Sequence, residues 1–97
     1  MVSMVGSLLH TLTGSVYEFD VRGRAARRLG NHDGQPPTPN LGRDGAWRLL
    51  ERIAMHPSPD GIRVHIVWRV DTPGFRSTLL SAALDPRELD PLAPLVA

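Results

Sequence analysis

The sequence predicts a mainly β fold, a small antiparallel β-roll or partly open barrel of five to six strands with one short helix. Three observations carry this. Nine glycines and nine prolines punctuate 97 residues, they fall between short segments that alternate apolar and polar, and two of those segments alternate with a period of two over six residues or more, the spacing at which side chains share one face of a strand. In Ile62-Arg63-Val64-His65-Ile66-Val67-Trp68-Arg69-Val70 every even position is apolar, which turns Trp68 inward. Val16-Tyr17-Glu18-Phe19-Asp20-Val21 repeats the pattern, with Tyr17, Phe19 and Val21 on one face and Glu18 and Asp20 on the other.

The remaining elements follow in order. Ser7 to Leu12 reads as a strand partner reached through Thr13-Gly14-Ser15, because glycine tolerates a positive φ. Arg22-Gly23 offers a second reversal into Arg24-Ala25-Ala26-Arg27-Arg28-Leu29, giving a three-strand meander. Gly30 to Gly45 contains four glycines and three prolines with little periodicity, a long loop that is either solvated or used for binding. In Ala46–Ile53 the residues Ala46, Leu49, Leu50 and Ile53 fit one face of a helix, and the segment reads as short helix in preference to strand. Asp71-Thr72-Pro73-Gly74 has the Pro-Gly centre of a type II turn and leads into a strand within Phe75–Leu84. Asp85-Pro86-Arg87-Glu88 combines a capping Asp with Pro at the first helical position and starts a single helical turn, which Pro91 and Pro94 are expected to end, leaving a Pro-rich tail at 91–97.

Composition bounds the function. One domain over residues 1–97 suits this length, and 41% hydrophobic with 22% charged residues is ordinary for a globular chain with no apolar run long enough for a membrane span. The absence of cysteine excludes disulfides, thiolate metal sites and a cysteine nucleophile. The start, Met1-Val2-Ser3-Met4-Val5-Gly6, has no basic segment and no long apolar stretch, so it does not read as a secretory signal and a cytoplasmic location is expected. A core of this size is marginal, and homodimerisation is a natural supplement. All eleven basic residues are arginine, which points to a GC-rich coding sequence, and a net charge of +1 gives no long-range pull toward polyanions.

No spacing of catalytic residues stands out. The four histidines show none of the local chelate spacings, the serines lack a nucleophile elbow, and the glycines match neither nucleotide-binding fingerprint. No catalytic residue, cofactor or metal is expected. A metal-dependent hydrolase would have to gather His32 and Asp33 with His56 and Asp60; turn chemistry explains those residues equally well. Arg22, Arg24, Arg27 and Arg28 are the local charge concentration, able either to grip phosphates bidentately or to protect a strand edge, with Glu18 and Asp20 available to neutralise them across the sheet. Arg63, His65 and Arg69 would enlarge that patch if the sheet brought them near. Trp47, next to Arg43 and Arg48, reads as core first and as an exposed anchor second. The expected function is a non-catalytic module that binds a protein, through Arg22, Arg24, Arg27, Arg28, His32, Asp33, Arg43 and Trp47, with nucleic acid as the alternative partner.

Thr11-Leu12-Thr13-Gly14-Ser15-Val16-Tyr17-Glu18-Phe19-Asp20, Arg27-Arg28-Leu29-Gly30, Asp44-Gly45-Ala46-Trp47 and Trp68 together resemble short uncharacterised proteins of GC-rich bacteria and their phages. Arg76-Ser77-Thr78-Leu79-Leu80-Ser81 departs from the Thr/Ser-rich ending of that pattern. The resemblance implies a mostly β fold and an accessory gene of a phage or mobile element, and it carries over no activity and no functional residue.

Overall fold

The computed structural model describes residues 7–31, 45–69 and 76–96. Among them are six strands, β1 (Ser7–His10), β2 (Ser15–Asp20), β3 (Ala25–Asn31), β4 (Arg48–Ser58), β5 (Gly61–Trp68) and β6 (Ser77–Ala82), followed by a 3-10 helix over Pro86–Leu95. Each strand pairs antiparallel with the next in sequence. The outer strands then meet. Thr11 bridges Ala83, Leu12 N–H donates to Ala82 O at 2.9 Å and Leu84 N–H to His10 O at 2.8 Å. The sheet therefore curls into the partly open barrel that the alternation predicts. Its thin place lies between β3 and β4, which pair at Ala25↔Leu49 and Ala26↔Arg48 alone among the described residues.

The turns form for local reasons. Gly14, at φ 94°, closes β1 onto β2 with its N–H on Thr11 O at 3.0 Å. Between β2 and β3 the Asp20 carboxylate accepts from Gly23 N–H at 2.9 Å and lies so close that a Cβ at Gly23 would meet it at 2.5 Å. Arg24 then takes the left-handed conformation at φ 52°. The long Gly30–Gly45 loop and the Asp71–Gly74 turn fall almost wholly outside the described residues.

The core is made of Leu9, Phe19, Leu50, Ile53, Val64, Ile66 and Trp68 from the strands, with Leu89, Leu92 and Leu95 from the helix. Trp68 points inward as its alternation predicts, and its ring N–H donates to Thr78 Oγ1 at 2.8 Å.

Two expectations are corrected. Residues 48–53 begin β4 and are not helical. Leu50 pairs with Trp68, Arg52 with Val67 and Ile53 with Ile66, so Glu51 is an extra residue in the ladder. That bulge turns both Leu50 and Ile53, three residues apart, to the interior and imitates a helical period. Pro91 and Pro94 do not end the helix either; it runs ten residues through both. Its buried leucines recur every third residue, the period of a 3-10 helix. Asp85 caps it, accepting from Arg87 N–H at 3.0 Å and from the Arg87 guanidinium at 3.1–3.2 Å. These contacts hold the Asp85 carboxyl below the ordinary aspartate range. Among the described residues, no helix is long and apolar enough to cross a membrane.

Candidate functional site

Backbone pairing at one end of the barrel gathers three arginines from separate segments. Leu50 N–H donates to Arg24 O at 2.8 Å, which holds the β2–β3 turn against one side of β4. On the other side Arg69 N–H donates to Leu49 O at 3.1 Å, which holds the chain leaving β5. Arg22, Arg24 and Arg69 thus surround the stretch Leu49–Glu51 and, with Gly23, line an open cavity of about 520 Å³. Arg24 donates from its guanidinium to the Glu51 carbonyl. Arg22 and Arg69 are in no ion pair with another described residue. Among the described residues Glu51 is the single acidic residue of the lining, set against three arginines.

Left-handed backbone at a non-glycine residue costs about 1–3 kcal/mol and persists where surrounding contacts over-determine it. Arg24 is the one such residue described, and it sits in this lining.

The arginine cluster read from the sequence is divided by the fold. Arg22 and Arg24 reach the cavity, while Arg27 and Arg28 lie on β3 and are engaged elsewhere. Glu18 and Arg27 are cross-strand partners, and Glu18 Oε1 accepts from Arg27 Nε at 2.7 Å with a second guanidinium nitrogen at 2.6 Å. Glu18 thus neutralises part of the cluster, while the carboxylate of Asp20 accepts from the Gly23 N–H instead. Arg28 is only 9% exposed. Of the three residues that could enlarge the patch, Arg69 joins it. Arg63 instead donates to Leu80 O at 2.9 Å, and His65 packs its ring 5.5 Å from that of His56.

Trp47 corrects its core reading: it is 45% exposed, and the Arg27 guanidinium lies over its ring at 4.6 Å. Arg48, the next residue, covers Trp68 in the same way at 4.5 Å. Leu49 follows two residues after Trp47 and is 44% exposed. His32, Asp33 and Arg43 lie outside the described residues. Sequence reasoning missed Leu49 and Glu51, because a helical face groups Leu49 with Leu50, whereas β4 alternates the two and its bulge sets Glu51 outside the ladder.

Among the described residues no three His, Asp or Glu side chains gather as a metal site. No protein-family model matches this chain, and no curated protein or solved structure matches it.

Proposed function

We propose that this chain is a non-catalytic binding module whose partner is another protein, engaged through the face formed by Trp47, Leu49 and the arginines beside them. The observation that carries this reading is the exposure of Trp47 and Leu49, two residues apart in the chain, with Leu49 itself in the lining of an arginine-rich cavity. Tryptophan and arginine are the side chains in which interface binding energy concentrates, because each offers a large contact area together with hydrogen-bonding capacity. Trp47 is also pre-positioned, since Arg27 is fixed by Glu18 and stacks on its ring. A side chain ordered before binding loses less entropy on association.

A nucleic-acid partner ranks behind. Two of the four clustered arginines are taken up within the sheet, and Glu51 adds a carboxylate where phosphates would have to approach.

The test is capture of host proteins by the immobilised chain, compared with two variants at exposed leucines, Leu49→Asp and Leu79→Asp. The reading expects a protein retained by the parent and by Leu79→Asp but lost from Leu49→Asp. Equal retention by both variants would show that this face is not the one used, and recovery of nothing above background would overturn the module reading.

A further inference from the structure

We infer that the cavity lined by Arg22, Arg24 and Arg69 receives carboxylates of the partner, presented by an acidic peptide segment in which Asp or Glu neighbours an apolar residue. The inference rests on the protein-binding reading above and specifies the chemistry of the partner.

Charge is the first argument. Three arginines, two from the β2–β3 turn and one just past β5, line the cavity, and among the described residues Arg22 and Arg69 have no carboxylate partner. Guanidinium forks match carboxylate geometry with two parallel hydrogen bonds. Size is the second. About 520 Å³ exceeds what a single small anion fills and suits a few side chains, within the range of roughly 300–1,000 Å³ usual for ligand pockets.

The lining decides between carboxylate and phosphate. Leu49 gives one wall an apolar side chain, and Glu51 places a negative charge in the lining. A densely charged phosphate chain would be repelled by Glu51 and gain nothing from Leu49. A peptide that alternates carboxylate and apolar side chains can set its acids on the arginines and its apolar groups on Leu49, leaving a backbone N–H for Glu51. Arg24 is preset for such a ligand, since its backbone is tied to Leu50 and its guanidinium to the Glu51 carbonyl.

The probe is a fluorescein-labelled peptide of sequence Glu-Leu-Glu-Leu-Glu, titrated with the full chain by anisotropy at about 50 and 200 mM salt, where an ionic contact must weaken. Its Gln-Leu-Gln-Leu-Gln counterpart should bind about tenfold more weakly or worse, as should the Glu peptide to an Arg22→Ser/Arg69→Ser double variant, because hydrogen bonds to charged groups are lost. Arg24→Asn should weaken it similarly while keeping the turn, since asparagine tolerates the left-handed conformation. Glu51→Gln should tighten binding about threefold by removing a repulsion of the size found for exposed charge pairs. Equal binding of both peptides overturns the inference. So does displacement of the peptide by inorganic phosphate or a short single-stranded oligonucleotide at lower concentration than by glutarate. Failure of the inference is separable from failure of the module: if Leu49→Asp abolishes capture of a host protein while the arginine variants capture it normally, the module stands and the acidic partner falls.

Discussion

Where β6 finishes and the 3-10 helix begins, carboxylates meet their partners: Glu88 accepts from the His10 backbone N–H at 2.9 Å and lies 2.8 Å from His10 Nδ1, and Asp85 holds Arg87 at 3.1 Å. Where β2 turns into β3 and β5 ends, Arg22 and Arg69 stand at a cavity with no carboxylate bound to either among the described residues. The first arrangement explains itself as structure, since each ionic group fastens the helix to itself or to β1. The second does not. Like charges brought together by folding repel one another, so a fold that gathers three guanidinium groups gains no stability from the gathering. The contrast separates side chains that hold the barrel from side chains that the barrel holds out.

The largest effect belongs to the helix. Leu92 is fully buried within the core cluster, and Leu92→Ala should cost about 2–5 kcal/mol, the lost transfer energy together with a cavity, read from urea denaturation. A loss under about 1 kcal/mol would mean that the helix is a loose appendage, which large-to-small changes in true cores exclude. The Glu88 contact is next. Glu88→Ala leaves the His10 N–H without this acceptor and should cost about 1–2 kcal/mol by the same measurement. Glu88→Gln retains an amide oxygen for that N–H and should cost less. If the two variants are equally destabilised, the charge and not the backbone contact is what fastens β1 to the helix.

A smaller effect depends on pH. Because the Arg87 guanidinium and N–H lower the Asp85 pKa on folding, the folded chain keeps this carboxylate charged more readily than the unfolded chain does. Its contribution is present in full above the ordinary aspartate range and is lost as pH falls through that range to the lower folded value. Asp85→Asn preserves an oxygen for the Arg87 N–H and removes the charge. Thermal midpoints of parent and variant should therefore differ near neutral pH and converge in acid, and a gap that stays constant down to low pH would assign the difference to shape and not to charge.

Much of the barrel is legible in the sequence, and the departures have physical causes. β5 shows its two-residue alternation because both neighbouring strands leave it one solvated and one buried face, and the Gly14 turn is visible because glycine tolerates its φ of 94°. The start of β4 is hidden by the extra residue at Glu51, which spaces Leu50 and Ile53 as a helix would. The helix is hidden by its prolines, which forbid the α-helical ladder more severely than they forbid isolated i→i+3 bonds such as Val96 N–H to Ala93 O. Its three-residue leucine spacing was nonetheless present to be read. The candidate site was legible in part. Arg22 and Arg24 stand out in the sequence as charge, and Glu18 reads there as a partner for the cluster. That Arg27 takes this role while Arg69 replaces it at the cavity follows from strand register, which no local pattern encodes.

The smallest effect is the sharpest test of the contrast between the two ends. If Arg22 and Arg69 do no structural work, Arg22→Ser/Arg69→Ser should leave stability within about 0.5 kcal/mol of the parent, the usual range for surface substitutions. Any change should be a gain, since two mutually repelling charges are removed, and it should be larger at low ionic strength than at high, where the repulsion is already screened. Urea midpoints at two salt concentrations read both quantities. A destabilisation above about 1 kcal/mol, beyond what surface sites ordinarily show, would reveal these guanidinium groups as fasteners like Glu88, and the two ends would then be alike. An unchanged or raised midpoint, joined to lost peptide binding in the same protein, would mark the arginines as kept for a partner and not for the fold.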